Sequence, residues 1–510
     1  MIDLNSSASV AAEQKPENKG FLKSGEEFKQ SLRDGRTVFY RGELIEDVTS
    51  HFATAGGISQ IAEIFDEQKD KKNLGLLTYE RDDGNLAAMS YQIPRTKKDL
   101  ERRRDGIKHV AQKTWGTHCR GLDMIASFTV GMLGYLPSFR NHCPEYAENI
   151  ITYREYAEQN NLYLSETIVD PQGYRGRPGG TALDTAAPER AVMRIVKENA
   201  KGIWISGVKG VGTVAPQSNE IFVGSLNPLT PDEALWAYVP ANAPGVRMFC
   251  REIVHRPHTS FYDHPLVSKG EEAEAMVAFD NVFVSRERIM AVRSPELANA
   301  GFFNLWTAYS HWYTFVRIET KAELYAALAK VILEVLELEH IPVVRQRVSE
   351  IIQFAQIIQG ISLASLESAT MAEGDVLVPG ETALAAGRIF AMEKLPRILH
   401  LLRDLCGQGL ILRFHEKDLA EHAAFGQKFE WFLDTQRVSA SQKNLLMNLV
   451  WDVTASEHAT RSLIFEEQHA LSEPLLRDRM VCDYDYSAHA KFVRDYIGLP
   501  HIPPAGWKGR

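Results

Sequence analysis

Cysteine is scarce in this chain of 510 residues and shows no pairing pattern. The cysteines are odd in number, scattered, and never spaced as Cys-x-x-Cys: Cys119, Cys143, Cys250, Cys406 and Cys482. A disulfide framework or a cysteine-based zinc site is therefore not expected. The thiols suit a reducing compartment, and we expect a cytoplasmic protein with no bound metal.

Long apolar runs and an excess of positive charge are also missing. No run of about 18 apolar residues occurs, so no membrane-spanning helix is expected. The N-terminal residues lack the charged-then-apolar pattern of a secretion signal. Lys and Arg number 57 against 66 Asp and Glu, a net charge of −9, which argues against nucleic acid or an anionic membrane as a partner.

A nucleotide-binding glycine signature is the third absence. No Gly-x-Gly-x-x-Gly opens a helix, so a Rossmann-type nicotinamide site is not expected. The glycines lie elsewhere, in the stretch from Leu162 to Gly224. There a sharp turn at residues 170–173 leads into a loop rich in Gly, Pro and Arg, and three glycines surround Lys209 and Thr213. Glycine lets a backbone approach a ligand closely, so we expect a ligand beside these segments.

The order of helical and strand-like patterns predicts an α+β protein built from successive domains. Short strand patterns with turn signals about every 8–12 residues favour an antiparallel barrel or sandwich in the middle. Apolar positions then recur with helical spacing, as at Leu324, Leu328, Val331 and Val335, which predicts a four-helix bundle. The predicted parts are a disordered tail (1–20), an N-terminal helical domain (21–160), a β domain (161–294) and a C-terminal bundle with a tail (295–510).

Two polar features have competing interpretations at this level. The run Arg102-Arg103-Arg104 on a predicted helix is more simply a solvated basic face than a binding site. His311 lies in an aromatic run on the first bundle helix, Trp306 to Tyr313. It is equally well interpreted as a hydrogen-bonded core residue or as a base in a pocket that binds an aromatic ring.

Several motifs in the same order resemble one branch of the acyl-CoA dehydrogenase fold. MVAFDNVFV at 276–284 resembles a strand of that fold. The oxygenase components of 4-hydroxyphenylacetate 3-monooxygenase and of chlorophenol and nitrophenol monooxygenases are similar over about Phe21 to Leu499. The matching segments are VDPQ at 169–172, GVKGVGT at 207–213, NAPGVRMFCRE at 242–252, DHPL at 263–266, IPVVRQRVSEII at 341–352 and LVWDVTASE at 449–457.

The resemblance implies the oxygenase of a two-component, reduced-flavin-dependent aromatic monooxygenase of the EC 1.14.14 type. A separate NAD(P)H-dependent flavin reductase would supply reduced FAD. The oxygenase would react it with oxygen and protect a flavin hydroperoxide, which hydroxylates a phenolic or other small aromatic substrate. Such a reaction needs a dry pocket and a base that makes the ring electron-rich. A homotetramer is implied as well.

The resemblance also assigns roles to residues of this chain. FAD contacts are implied at Gln172, Gly173, Tyr174, Arg175 and Thr213, and more loosely at Glu473, Pro474, Leu475 and Leu476. The implied catalytic residues are His311, Arg103 and Glu166, where Glu166 replaces a histidine of the phenylacetate enzymes. The implied substrate contacts are Arg103, Arg104, Ile107, Leu226 and Asn227, and here Ile107 replaces a tyrosine. These two replacements favour a substrate other than 4-hydroxyphenylacetate and His311 as the base.

Three other functions remain open from the sequence. A lyase like 4-hydroxybutyryl-CoA dehydratase needs an iron–sulfur cluster held by three Cys and one His. Trp115 stands where a cysteine should precede Cys119, and no cysteine closely follows His311, which disfavours this function. An acyl-CoA dehydrogenase-like flavin oxidoreductase would keep oxidised FAD bound. A flavin-free assembly protein would need the glycine-rich loop only as a turn.

Overall fold

The computed structural model describes residues 21–118, 121, 123–170, 192–225, 230–254, 259–301, 307–419, 426–469 and 473–500. Gln172, Gly173, Tyr174, Arg175, Leu226 and Asn227 lie outside these residues. The predictions made for those six positions therefore stay predictions.

The N-terminal part is mainly helical but also contributes strands. The helix predicted from Thr96 to Met132 is divided near Gly116 and Gly121, as expected, because Gly116 takes a left-handed φ of 64°. Thr96 caps the first piece by accepting a hydrogen bond from the backbone N–H of Asp99. The elements are α1 (Gly25–Ser31), β1 (Val38–Tyr40), β2 (Glu43–Leu44), α2 (Ala55–Lys69), β3 (Thr78–Glu80), β4 (Leu86–Ala88), α3 (Lys97–Lys113), α4 (Asp123–Leu133), α5 (Leu136–His142) and α6 (Pro144–Gln159).

The middle of the chain forms a ten-stranded sheet in the order β12-β9-β8-β5-β7-β11-β10-β1-β2, with β6 also paired to β7. The strands are β5 (Leu164–Thr167), β6 (Arg194–Asn199), β7 (Gly202–Thr213), β8 (Glu220–Val223), β9 (Leu235–Pro240), β10 (Val246–Cys250), β11 (Glu274–Ser285) and β12 (Ile289–Val292).

The sheet is mixed, so the expectation of a purely antiparallel β domain is wrong in two places. β5 pairs with β8 and β1 pairs with β10 in parallel. Parallel neighbours need a long connection, and each of these pairs is separated by other strands along the chain. Single-sequence patterns report where strands lie but not which strands become neighbours, so this feature was not predictable.

The C-terminal part is a helical bundle in which α8, α9 and α10 pack on one another. The stripe predicted on α8 is confirmed at Leu328, which is buried, but not at Val331, which is 42% exposed beside the fully buried Ile332. The elements are α7 (Pro295–Gly301), α8 (Thr307–Leu336), α9 (Pro342–Glu367), β13 (Thr370–Met371), β14 (Leu377–Val378), α10 (Glu381–Cys406), α11 (Gly426–Leu433), α12 (Ala440–Thr454), α13 (Glu457–Gln468), α14 (Glu473–Asp483) and α15 (Ser487–Ile497).

The sheet is covered on both faces, and one large core joins it to the helices. Phe28 and Phe65 of α1 and α2 pack with strand residues such as Val277 in one cluster. The other cluster runs from α3 and α4 through Trp236 of β9 into the bundle. Among the described residues, no helix has the length and apolar character needed to cross a membrane. The N-terminal helices, the sheet and the bundle thus share a continuous buried interior.

Candidate active site

Arg103 is fully buried and not part of a solvated basic face. Its Nη1 donates to the carbonyl of Gln92 at 3.0 Å. Its Nη2 donates to the carbonyl of Ser90 at 3.0 Å and to Oγ of Ser127 at 2.6 Å. A buried guanidinium needs such acceptors to offset its lost hydration. Arg103 therefore fixes α3 against α4 while bringing a positive charge into the core.

The charge of Arg103 lies beside the aromatic residues of α8. The guanidinium carbon is 5.5 Å from the ring centre of Tyr309 and 5.9 Å from that of Trp312, distances typical of cation–π contacts. Ile107, which is 1% exposed, follows Arg103 by one turn on the same face of α3. This face of α3 thus combines one buried cation with an apolar surface.

Arg104 points to different partners. Its side chain is 12% exposed and forms an ion pair with Glu319 of α8, whose side chain is fully buried. Its Nε also donates to Oγ of Ser362 on α9 at 3.2 Å. Lys108 reaches the same carboxylate at 3.2 Å. These contacts tie α3 to the bundle, and they favour a packing role for Arg104 over the substrate role predicted for it.

Glu166 and Thr213 are brought together by strand pairing. Glu166, 3% exposed on β5, is the Cα partner of Thr213 at the end of β7. The adjacent Ser165 donates from Oγ to the carbonyl of Thr213 at 2.6 Å. Burial, with smaller contributions from groups that include Glu166, raises the pKa of Tyr238 well above its usual range. This part of the sheet thus places a carboxyl beside a threonine, with a neutral phenol two strands away on β9.

His311 is fully buried in the first half of α8, where every residue from Tyr309 to Ala322 is buried. Its Nδ1 lies 2.7 Å from Oε1 of Glu381, the first residue of α10. Tyr309 and Trp312, three residues apart, share a helix face towards Arg103, whereas His311 is rotated by about 100° from Trp312. His311 is therefore oriented by α10, while Arg103 contacts the neighbouring aromatic face.

Hydrogen-bonding groups without partners surround His311 along α8. Among the described atoms, Oγ of Ser310, Nε1 of Trp312 and Oγ1 of Thr314 are buried and have no hydrogen-bond partner. A buried polar group left unpaired costs about 1–3 kcal/mol, so such groups usually mark a place where water or a ligand supplies the partner. Ser310 and Thr314 are one turn apart on one side of α8, and Trp312 lies on the opposite side, so partners for these groups are needed on two sides of the helix.

The glycines of β7 pack against protein. At Gly207, φ is 137° and a Cβ would lie 2.4 Å from the Cα of Met193. At Gly212 it would lie 2.8 Å from a methyl group of Val277. These two glycines are needed for strand packing, which explains them without the ligand approach that the sequence suggested. At Gly210 the nearest atom to such a Cβ is 3.4 Å away, so only this glycine has room beside it.

Lys209 and the predicted C-terminal FAD contacts have structural partners. Lys209 is buried and lies 2.7 Å from the carboxylate of Asp170, and burial lowers its pKa. Glu473 begins α14 and pairs with Arg477 at 2.8 Å. Leu476 is fully buried and packs on α10, while Pro474 and Leu475 face outward and are exposed.

A buried charge cluster lies deeper in the bundle and was missed by sequence reasoning. Glu466 of α13 accepts hydrogen bonds from Nη2 of Arg317 at 2.8 Å and from Nζ of Lys321 at 2.8 Å. Arg388 of α10 lies 3.8 Å from it. Burial alone would raise the pKa of Glu466, but the three cations outweigh it and hold that pKa well below its usual range. The four residues come from three helices that are far apart in sequence, α8, α10 and α13, so no local pattern predicted the cluster.

The sequence analysis also did not predict Glu381 as a partner of His311, although the residues around Glu381 indicate the start of a helix. It follows Pro379-Gly380 as the first residue of a long helical pattern, where an acidic side chain is favourable. That signal marks a helix start but not a partner, because His311 lies on a different helix. No group of three or more described His, Cys, Asp or Glu side chains is arranged to hold a metal ion.

The arrangement of N-terminal helices, central sheet and C-terminal bundle defines an acyl-CoA dehydrogenase-like flavoprotein fold. The family model for the N-terminal part of 4-hydroxyphenylacetate 3-hydroxylase matches residues 24–291, and that for the C-terminal part matches residues 300–498. The chain therefore belongs to the 4-hydroxyphenylacetate 3-hydroxylase family. The predicted family and fold class are thereby confirmed.

Individual relatives cover nearly the whole chain at low identity. The oxygenase component of 4-nitrophenol 4-monooxygenase/4-nitrocatechol 2-monooxygenase from Rhodococcus opacus is 29% identical over 88% of this chain and 85% of its own length. The oxygenase component of 4-hydroxyphenylacetate 3-monooxygenase, solved with FAD and 4-hydroxyphenylacetate, superposes with a TM-score of 0.86 at 26% identity, covering 93% of this chain and 98% of that chain.

A redox-neutral relative shares the fold at greater distance. An archaeal 4-hydroxybutyryl-CoA dehydratase from N. maritimus superposes with a TM-score of 0.84 at 18% identity, covering 94% of this chain and 96% of that chain. Identity this low supports the fold alone. Its activity gives no argument about the reaction of this chain.

Proposed function

We propose that this chain is the oxygenase component of a two-component monooxygenase that hydroxylates a phenol or related aromatic compound with reduced FAD and oxygen. The proposal is supported by family membership and by relatives named for phenolic substrates. The observation that carries it to this molecule is the buried imidazole of His311, paired with Glu381 on a helix that also bears unpartnered hydrogen-bonding groups. A separate NAD(P)H-dependent reductase would deliver the reduced flavin.

The described residues include groups that suit a flavin. The unpaired hydroxyl groups of Ser310 and Thr314 share one side of α8 and can form hydrogen bonds with a polar ring system, and Thr213 is a buried threonine at the end of β7. When bound, reduced FAD supplies the two electrons that let one oxygen atom enter the ring while the other leaves as water. The protein's own task is to exclude water and to orient the ring.

His311 would act on the phenol. An electrophilic oxygen reacts much faster with a phenolate than with a phenol, and the pKa of a phenol is about 10, so near pH 7 the pocket must remove the proton. A neutral imidazole can accept it. The nearby positive charge of Arg103 favours the resulting anion, and the rings of Tyr309 and Trp312 with Ile107 give the aromatic substrate an apolar surface.

His311→Ala tests this assignment. We expect the variant to bind reduced FAD and consume oxygen, but to release hydrogen peroxide in place of hydroxylated product. Oxygen transfer should fall roughly 10²–10⁴-fold near pH 7, and the defect should shrink at high pH where the phenol ionises by itself. Product and peroxide are quantified after mixing reduced FAD, oxygen and a panel of phenols with the protein.

His415→Ala is the matched control, because His415 is 56% exposed and pairs with Asp263 away from α8. It should behave as wild type. If His311→Ala hydroxylates at the normal rate near pH 7, His311 is not the base, and Glu166 becomes the residue to replace.

Assembly and location complete the proposal. We infer a homotetramer, for which the exposed apolar side of α15 is the candidate contact: Phe492 is 68%, Tyr496 81% and Ile497 59% exposed. We also infer a cytoplasmic enzyme, because the described thiols Cys143, Cys250, Cys406 and Cys482 are free, as in a reducing compartment.

A further inference from the structure

We propose that a surface cleft beside α6 binds a small carboxylate whose body is apolar, such as a ring or a branched chain. The cleft lies between α6, the start of α5, residues 93–95 and the turn before β14. None of the residues that line it belongs to the proposed active site. The inference therefore stands independently of the proposed function.

The cleft has the size and the surface of a site for a small organic molecule. Its volume is about 190 Å³. A cavity of about 150 Å³ is large enough to hold benzene. Burying an apolar body in the cleft is favourable because most of the side chains that line it are apolar. These side chains are Ile93, Leu133, Leu136, Ile151 and Val376.

Backbone contacts hold the walls of the cleft in place. Leu377 of β14 donates its N–H to the carbonyl of Pro94 at 2.8 Å, and Gly374 donates to the carbonyl of Gly134 at 2.9 Å. A Cβ at Gly374 would overlap the carbonyl oxygen of Leu133, so this close approach requires glycine. The cleft is thus formed by the fold itself, as ligand sites usually are.

Arg154 brings a guanidinium with free donors to the cleft. Its side chain is 9% exposed. All hydrogen bonds of this guanidinium with described residues are made by Nη2, to the hydroxyl of Tyr79 at 3.1 Å, to Oε1 of Glu158 at 2.8 Å and to the carbonyl of Tyr91. Nε is buried and has no hydrogen-bond partner. Buried donors are normally paired, and a carboxylate is the acceptor that suits a guanidinium best.

The acid that balances Arg154 is shared with a second cation. Glu158 is fully buried and pairs with Arg81 as well as with Arg154. Asp83 also pairs with Arg81, at 3.3 Å, but it is about half exposed and therefore better screened by water. The charge of Arg154 is consequently only partly neutralised within the protein, which favours an anion beside it.

The remaining polar residues lie at the rim. Ile151, Arg154 and Glu155 share one face of α6, because residues three and four positions apart are neighbours on a helix. Arg95 adds a second, half-exposed cation that is paired with Asp375. Glu155 is exposed and is the acidic residue of the lining. Its negative charge opposes a bound carboxylate, so its removal has a predictable sign.

Cyclohexanecarboxylate is the probe, because it has an apolar ring and lacks the hydroxyl group on which a phenol hydroxylase acts. Its binding to the full chain without flavin is measured by isothermal titration calorimetry. Cyclohexanecarboxamide has nearly the same shape without the charge, and cyclohexylmethylamine has the opposite charge. We expect one carboxylate site per chain, an affinity for the carboxamide lower by about 10-fold or more, and no binding of the amine.

Two variants with matched controls locate the site. Ile151→Trp fills the cleft and should abolish binding, whereas Ile352→Trp, at a 49% exposed position of α9, should bind as wild type does. Glu155→Gln removes the opposing charge and should strengthen carboxylate binding by about 2–5-fold. Glu350→Gln, which alters a 40% exposed carboxylate paired with Arg397, should leave the affinity unchanged.

Several results would overturn the proposal. Absence of binding at millimolar probe concentrations would remove the site, and an unchanged affinity in Ile151→Trp would place the probe elsewhere. Equal binding of carboxylate and carboxamide, or preferred binding of the amine, would overturn the class of ligand. Competition between the probe and 4-nitrophenol would place the probe in the phenol site and leave the proposed function intact. Probe binding as expected in a protein that hydroxylates no phenol would overturn the proposed function and support the cleft.

Discussion

At the scale of single residues, the molecule concentrates buried charge on α8. Arg317 and Lys321 lie one turn apart and share Glu466, while His311 is further towards the N-terminal end of the same helix. Burial lowers the pKa of Arg388 to about 10 and outweighs the opposing effect of the nearby Glu466 carboxylate. Charges in such surroundings are stabilised only by one another, so removing one has a large effect.

Glu466→Gln should therefore destabilise the protein by about 3–5 kcal/mol at pH 7, because three buried cations lose their counter-charge. The pKa of Glu466 is held below its usual value, so its contribution is full above the pKa of an unfolded carboxyl and is lost as the pH falls towards the folded pKa. The difference in unfolding free energy between wild type and Glu466→Gln should thus become smaller at low pH. Urea unfolding of both proteins at pH 7 and pH 4 measures this difference. Equal unfolding midpoints at pH 7 would contradict the prediction.

Thr213→Ala addresses the flavin side of the site. Thr213 ends β7, 2% exposed, with its carbonyl held by Ser165, so the backbone should stay in place when the hydroxyl is removed. We expect reduced FAD to bind more weakly by about 0.5–1.5 kcal/mol, the usual range for one neutral hydrogen bond. Equilibrium titration under anaerobic conditions gives the affinity, and an unchanged value would mean that Thr213 does not contact the flavin.

At the scale of elements, the central strands β7 and β11 depend on close backbone packing. Gly207 approaches Met193 next to β6, and Gly212 approaches Val277 of β11. The glycines at these two positions of β7 are thus required by the packing of the sheet itself. The glycine-rich loop at residues 173–180, which lies outside the described residues, and Thr213 at the end of β7 stay the predicted contacts with FAD.

Gly207→Ala and Gly210→Ala form a matched pair on β7. The first places a methyl group 2.4 Å from the backbone of Met193 at a φ of 137°, whereas the second has its nearest neighbour at 3.4 Å. We expect Gly207→Ala to cost at least about 1–3 kcal/mol of stability and Gly210→Ala to cost much less. The melting temperatures of both variants measure the two losses of stability. If Gly207→Ala and Gly210→Ala lose the same stability, strand packing does not explain Gly207.

Element types were more predictable from the sequence than burial or pairing. The strands near β7 and β11 and the break between α3 and α4 follow from local patterns of alternation and glycine. The complete burial of the first half of α8 was not predictable, because a helix buried on all sides over Tyr309 to Ala322 has no single apolar stripe to detect. Three consecutive arginines look solvated in sequence, and only tertiary structure reveals that Arg103 is buried. The His311–Glu381 contact joins two helices, which no local pattern reports.

At the scale of the whole molecule, α15 is a helix that packs little against the rest of the chain. None of its residues is buried, and Phe492 and Tyr496 stack on each other at 6.1 Å on the exposed side. Exposing the apolar side of an amphipathic helix to water is unfavourable, so we expect another protein surface to cover this side of α15.

Phe492→Asp combined with Tyr496→Asp should therefore reduce the assembly without unfolding the subunit. We expect wild type to have the mass of a tetramer and the double variant a smaller mass, because two charges would be placed where another subunit packs. Light scattering after size-exclusion chromatography measures both. Lys491→Asp, on the polar side with Asp495 nearby, is the control and should keep the wild-type mass. An unchanged mass for the double variant would remove α15 from the interface.

The parallel pairing of β1 with β10 delays the folding of β1 while the chain is being synthesised. Val38 is aligned with Met248, and the N–H of Met248 donates to the carbonyl of Thr37, so the first strand finds its neighbour only after β5–β9 have been synthesised. Contacts between such distant segments form slowly, and the waiting strand exposes an unpaired edge meanwhile. A ribosome-bound fragment ending before β10 should accordingly be cut readily by proteases near residues 38–44, and extension past β11 should protect that segment.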